Sequence, residues 1–310
     1  MTDFRSLTED RQQGRERFLE LVAEVRPELH RYCARMTGSV ADGEDLVQET
    51  LARAYYGLSE LESLPALRPW LFRIAHSRAI DHLRRYDRRM GRPLEVVHES
   101  VADGAADPEQ ALSQDQAVHA AISVFVELPP AQRSAVILKD VLGHSLDDIA
   151  ELLELSLPAV KAALHRGRAR LRQEQEAAES NGPAKPSAPS PVVARYARLF
   201  NARDWEGVRA LLAEDVRLDL VSRARRSGRE VESYTSNYAT KHDWHMVPAM
   251  LEGREVIAVF RRAEDMRPGY FVELTLVDER VALIRDFRYV PYIAREAVIE
   301  LSAERGPWPG

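Results

Sequence analysis

From Ser180 to Pro191 the chain reads SNGPAKPSAPSP, and this stretch divides residues patterned for helices from residues patterned for strands. A segment so rich in proline, serine and small residues buries too little side chain to offset its ordering entropy, so it reads as an extended tether. The 310-residue length likewise fits two or three compact units better than one. Upstream of the tether, apolar residues recur at three- and four-residue spacing. This predicts helices over about 15–36, 40–61 and 69–88, with Pro69 in a first helical turn. Residues 92–115 lack periodicity and carry Gly and Pro breakers, as a linker would. Helical patterning resumes near Gln116 and runs to Glu179, interrupted at 128–133, 141–145 and 155–158. Downstream of the tether, 192–212 predicts one helix or a pair broken at 201–204. Strand-like runs follow at 216–220, 255–260, 270–276 and 281–292, which makes a compact α+β domain, with a loose tail over 300–310.

A hydrophobic fraction of 45% is enough for real cores, and no apolar run approaches membrane-spanning length. The start, MTDFRSLTED, has neither the basic nor the apolar segment of a secretion signal, so the expected location is the cytoplasm. The single cysteine, Cys33, lies in an apolar-periodic stretch, where a buried inert thiol is expected and an internal disulfide is excluded. The net charge of −6 averages over the chain and hides two basic blocks, 84–92 and 161–172, the latter (KAALHRGRARLR) with no carboxylate.

The sharpest local pattern is at 145–171. Ser145 is placed as a helix N-cap with Asp148 three residues on, and Leu146, Ile149, Ala150 and Leu153 share one face. After a turn at 154–156, Pro158 opens a second helix whose Val160, Ala163 and Leu164 would pack against the first, with Ala150 small enough for a close crossing. This is the helix-turn-helix plan, in which the second helix enters the DNA major groove. Lys161, His165, Arg166 and Arg168 then lie on or near its exposed side, where they are candidates for phosphate or base contacts. A helical hairpin decorated with arginine would carry the same spacing.

With these residues in view, ELPPAQRSAVILKDVLGHSLDDIAELLELSLPAVKAALHRGRARL (127–171) resembles region 4 of extracytoplasmic-function sigma factors, the module that reads the promoter −35 element. Residues 32–50 and 70–85 resemble region 2 of the same family. The resemblance implies a polymerase-binding surface at Asp42, Asp45 and Glu49, docking on the coiled coil of the largest polymerase subunit. It also implies −10 contacts at Trp70, Arg73, Ser77, Arg84, Arg85 and Arg88, and −35 contacts at Lys161, His165, Arg166 and Arg168. Spacing alone also allows the acids to be helix-start electrostatics. Ser77 stands where the family commonly has asparagine. The loop 59–68, where flipped bases would be held, offers no aromatic.

Residues 192–299 resemble SnoaL-like domains related to nuclear transport factor 2, in which a curved sheet wraps a helix and leaves a pocket. Tyr196, Trp205, Trp244, Asp286 and Tyr289 are its candidate lining, with His242, His245 and Arg288 as further polar candidates. A subgroup motif, Asp-Gly-Gly-Gly-Lys, is absent; 219–229 reads DLVSRARRSGR instead.

The sequence thus predicts a multidomain chain of two all-α sigma domains followed by an α+β SnoaL-like cone. The boundaries are 15–95 for region 2, 96–113 for a linker, 114–175 for region 4, 176–191 for the tether, 192–299 for the cone and 300–310 for the tail. The expected function is a sigma factor without catalytic chemistry, cofactor or metal. Its partners would be core RNA polymerase and promoter DNA, its C-terminal domain would act in cis, and a small ligand is allowed. The competing readings are a helix-turn-helix repressor or activator with a ligand-binding domain, and a SnoaL-like enzyme with accessory helices.

Overall fold

The computed structural model describes residues 4–57, 66–90, 121–180, 189–239, 244–302, 304, 305 and 308. The first helix, α1 (Phe4–Thr37), ends at Gly38, whose φ of +78° is a left-handed conformation that costs glycine nothing; its N–H donates to the Ala34 carbonyl at 2.7 Å. The Ser39 hydroxyl caps α2 (Val40–Gly57) by accepting from the Asp42 N–H at 3.3 Å. An ideal Cβ on Gly43 would lie 2.5 Å from the Ala34 Cα, so the backbones of α1 and α2 touch where only glycine fits. Across them lies α3 (Leu67–Met90), burying Leu71, Phe72, Ala75 and Ala79. The first helix begins before the expected Arg15; the second is described to Gly57, and its expected end near Leu61 lies outside the described residues. Cys33 is fully buried, and desolvation pushes its thiol well above its ordinary pKa, consistent with an inert role.

Beyond residue 120 a 3₁₀ turn (Ile122–Glu127) precedes α4 (Pro130–Val136), which continues into a π turn (Ile137–Val141). Pro130 occupies the first helical position, so the break expected over 128–133 shrinks to Leu128 and Pro129: the paired prolines mark a helix start. The helix α5 (Leu146–Leu153) has the expected capping box, with Ser145 and Asp148 bonding reciprocally. Glu154, at φ +55°, turns the chain into α6 (Leu157–Ser180), which buries Val160, Ala163 and Leu164 as expected. On α5 the fully inward residues are Ile149 and Leu152, while Leu146, Ala150 and Leu153 are half-buried. Helices from both sides of the linker share one continuous apolar cluster, within a unit spanning Met1–Gly182.

The second unit, Pro183–Gly310, has its own core. It opens with α7 (Pro191–Asn201), capped by Ser190, and α8 (Trp205–Ala210), the expected helical pair. A seven-stranded sheet follows, in the order β2-β1-β6-β5-β4-β3-β7. Its strands are β1 (Leu212–Leu220), β2 (Ala224–Ser227), β3 (His245–Leu251), β4 (Arg254–Phe260), β5 (Tyr270–Val277), β6 (Arg280–Asp286) and β7 (Ile299–Leu301). The β1–β6 pair is parallel and the others are antiparallel, with α9 (Glu232–Ala239) between β2 and β3 and α10 (Tyr292–Glu296) before β7. The α+β class is as predicted.

Two expectations fail here. The strand expected over 281–292 stops at Asp286, where a turn closed by the Val290 N–H donating to the Phe287 carbonyl at 3.1 Å leads into α10. The tail expected to be loose is tied down: Leu301 pairs opposite Ala249, and the Arg305 guanidinium lies 3.8 Å over the Phe260 ring while donating to the Met266 carbonyl at 3.2 Å. The Trp308 ring lies 5.3 Å from that of His245. Among the described residues no helix is long and apolar enough to cross a membrane.

Candidate nucleic-acid interface

The second helix of the helix-turn-helix is α6. Lys161 and His165, four apart, are exposed on one face of it, and Arg166 is half-buried. Arg168 is differently employed. Its Nε and Nη2 donate to the two Asp140 oxygens at 2.9 and 2.6 Å, a bidentate pair that ties α6 to the π turn and raises the guanidinium pKa. Arg168 therefore ties α6 in place, and of the four expected contact residues only Lys161 and His165 are exposed. Glu151, on α5, accepts from Arg73 of α3 at 3.1 Å.

On α3, Arg73, Ser77 and Arg84 share one face by helical spacing and are exposed. Trp70, at the start of that face, is half-buried and packs on the core. The Arg88 side chain lies outside the described residues. Arg85, rotated about 100° from Arg84, faces elsewhere: with His82 it lines a cleft shared with Asp42, Asp45, Leu46 and Glu49 of α2. The three acids expected to bind polymerase thus line one cleft. Only Asp42 lies in the first turn of α2, where the helix dipole favours an acid regardless of role.

In the second unit the expected pocket residues divide. Tyr196, Trp205 and Trp244 pack around Phe200 with ring centroids at 5.3, 5.1 and 5.4 Å, Tyr196 and Trp244 within the core and Trp205 partly buried at its edge. Asp286 is fully buried; its Oδ2 accepts from the Tyr234 and Tyr238 hydroxyls at 3.0 and 2.8 Å, and the Arg288 N–H donates to Oδ1 at 2.9 Å. Desolvation still outweighs these bonds and raises the carboxyl pKa. The Arg288 guanidinium lies 4.3 Å over the Tyr238 ring. Tyr289 is partly exposed beneath Arg223, at 4.5 Å. His245 is buried in β3, and His242 falls outside the described residues. Sequence reasoning missed Tyr234, Tyr238 and Tyr270, whose hydroxyls complete this cluster. Strand and helix signals around 224–251 were the missing cue.

Comparison with known proteins then assigns the first unit. Residues 21–89 match the Sigma-70 region 2 model, and residues 120–171 match Sigma-70, region 4. The ECF RNA polymerase sigma factor SigW of Bacillus subtilis is 30% identical over 165 residues, which cover 51% of this chain and 88% of SigW. This chain belongs to the ECF RNA polymerase sigma factors. SigG of Mycobacterium tuberculosis is 34% identical over 202 residues, 58% of this chain; the chain spans about half, 54%, of that relative's length. The crystal structure of the extracytoplasmic-function sigma factor SigJ of Mycobacterium tuberculosis aligns at 21% identity with a TM-score of 0.35, covering 88% of this chain and 98% of that one.

In sigma-factor terms, regions 2 and 4 are joined here by buried polar contacts. The Tyr32 hydroxyl lies 2.9 Å from His76 Nδ1 and 3.1 Å from the Ser134 Oγ, which is itself 3.3 Å from His76. Burial pushes the Tyr32 phenol up and holds the His76 imidazole at about 4, down from 6.5. The folded unit therefore binds this proton more weakly than the unfolded chain. The stability it reflects is fully present above pH 6.5 and is lost as pH falls toward 4, by about 3 kcal/mol at the limit. Urea denaturation of the full chain at about pH 7 and about pH 4.5 should show this loss, and His76→Gln should flatten it. An unchanged slope in the variant would remove His76 as its source.

Proposed function

We propose that this chain is a specificity subunit of RNA polymerase, with region 2 binding core polymerase and the −10 element and region 4 reading the −35 element. The observation that carries the reading is the pairing, in one helical unit, of a helix-turn-helix with outward Lys161 and His165 and an acid-lined cleft on α2. Region 2 would occupy 15–95 and region 4 114–175. Arg73, Ser77 and Arg84 are the proposed −10 face, with Trp70 at its head. The exposed Arg73–Glu151 pair is worth at most about 1 kcal/mol, so a phosphate displaces it readily. Asp42, Asp45 and Glu49 meet a basic surface of core polymerase.

The domain at 192–299 would modulate this activity in cis, reached through the expected 176–191 tether, of which 176–180 continue α6 and Pro191 starts α7. A small ligand would reach Asp286 and the tyrosine hydroxyls only by opening the core in which they are buried and bonded to one another. The test is run-off transcription with purified core polymerase on the gene's own upstream DNA, comparing no addition, the full chain and residues 1–189. A discrete transcript only with added protein supports the sigma role, and a difference between the two forms assigns regulation to the C-terminal domain. DNA binding without polymerase, and no transcript, would mark a conventional repressor instead.

A further inference from the structure

Large aromatic side chains are normally withdrawn from water, and a contiguous exposed group of them marks a contact surface. At the end of α2, Tyr56 is 75% exposed and Tyr55 39%. The Tyr55 ring stands edge-on to Tyr56 at 6.1 Å and lies 6.4 Å from the buried Phe18, so Tyr56 is backed by a ring anchored in the core. A Cβ on the neighbouring Gly57 would lie 3.6 Å from Trp70 Cζ2, which brings the head of the proposed −10 face to the same corner. Exposed arginines lie one turn away on each helix, Arg53 before Tyr56 and Arg73 after Trp70. Flat rings flanked by cations are what an unpaired nucleic-acid strand needs, bases stacking on the rings and phosphates meeting the guanidiniums.

We propose that Tyr56, backed by Tyr55 beside Trp70, is a stacking platform for an unpaired base of the melted promoter strand. The proposal rests on the sigma-factor reading above. It puts on a helix end the aromatic surface that the loop 59–68 lacks in sequence.

The test uses holoenzyme reconstituted from core polymerase and the full chain. Its probe is a single-stranded oligonucleotide carrying the non-template strand upstream of the mapped start site, with 2-aminopurine in place of successive bases. Tyr56→Ala is expected to weaken binding by about 5- to 150-fold, the range that one base–aromatic stack supplies, and to abolish the fluorescence change at one position. Tyr56→Phe and Tyr56→Trp should stay within about 2-fold of the parent. Tyr86→Ala, also an exposed tyrosine but about 24 Å farther along α3, should leave binding unchanged. Binding by Tyr56→Ala equal to the parent's overturns the proposal. So does weakened assembly with core polymerase in that variant, which would make the patch a protein contact. Failure of the parent chain itself to support transcription would strike the sigma reading, a separate result.

Discussion

Replacing Arg133 with alanine lowers the melting transition of the sigma unit by on the order of 10 °C and leaves that of the C-terminal unit in place. Arg133 is 4% exposed, and its guanidinium bonds backbone carbonyls of both regions 2 and 4. Nη1 donates to the Met36 carbonyl at 2.6 Å, Nη2 to Val126 at 2.6 Å and Leu128 at 2.9 Å, and Nε to Leu128 at 3.2 Å. Met36 is in the last turn of α1, whose carbonyls have no partner within the helix and carry the negative end of its dipole. One cation thus caps α1 and the 3₁₀ turn together. Alanine would strand the buried Met36 and Leu128 carbonyls, cut the bond to Val126 and leave a void, at a cost of about 3 to 4 kcal/mol. Arg133→Lys keeps the charge but not the fork, so its transition should fall between the two. Calorimetry on the full chain decides it: an alanine variant melting within a degree or two of the parent would show that the carbonyls find other donors.

Neither Arg133 nor Arg168 could be assigned from sequence, and the reason is the same for both. Arg133 reaches a carbonyl 97 residues away, and Arg168 a carboxylate 28 residues away. Sequence periodicity reports on neighbours one helical turn apart, so the Ser145–Asp148 capping box was legible and these two ties were not. Arg85 is an intermediate case. Its rotation away from Arg84 follows from helical spacing, but which way α2 lies does not, and that packing decides that Arg85 faces the acids. In the second unit β4, non-alternating and buried over 256–260, is legible from its β-branched and aromatic run, whereas β3 (HMVPAML) has only Val247 of that kind. Residues 245–249 are all buried, so no polar face marks the period, and Pro248 counts against a strand. Missing β3 and α9 hid the surroundings of Asp286, although Asp286 itself had been singled out. The tail misleads for a simpler reason: chain ends are ordered only when something ties them down, and the pairing of Ile299–Leu301 and the bonds of Arg305 that do so are long-range contacts.

The largest functional effect is expected from the acids of α2. Asp45→Lys/Glu49→Lys should reduce run-off transcription by on the order of 100-fold at a chain concentration that half-saturates core polymerase, because like charges facing each other across an interface cost several kcal/mol. Neither acid is in the first turn, so the helix dipole does not account for them, and both face a cleft open to a partner. The reversal also sets lysines beside His82 and Arg85, so part of the loss would be local repulsion. Asp45→Asn/Glu49→Gln separates the two effects: it removes the acids without adding cations, and should cost about tenfold. It should also flatten the salt dependence of assembly, since exposed charges are the ones that salt screens. Unchanged affinity and an unchanged salt slope in the neutral variant would make these acids local partners of His82 and Arg85 in the cleft, with no part in assembly. The polymerase contact would then have to be sought elsewhere on region 2.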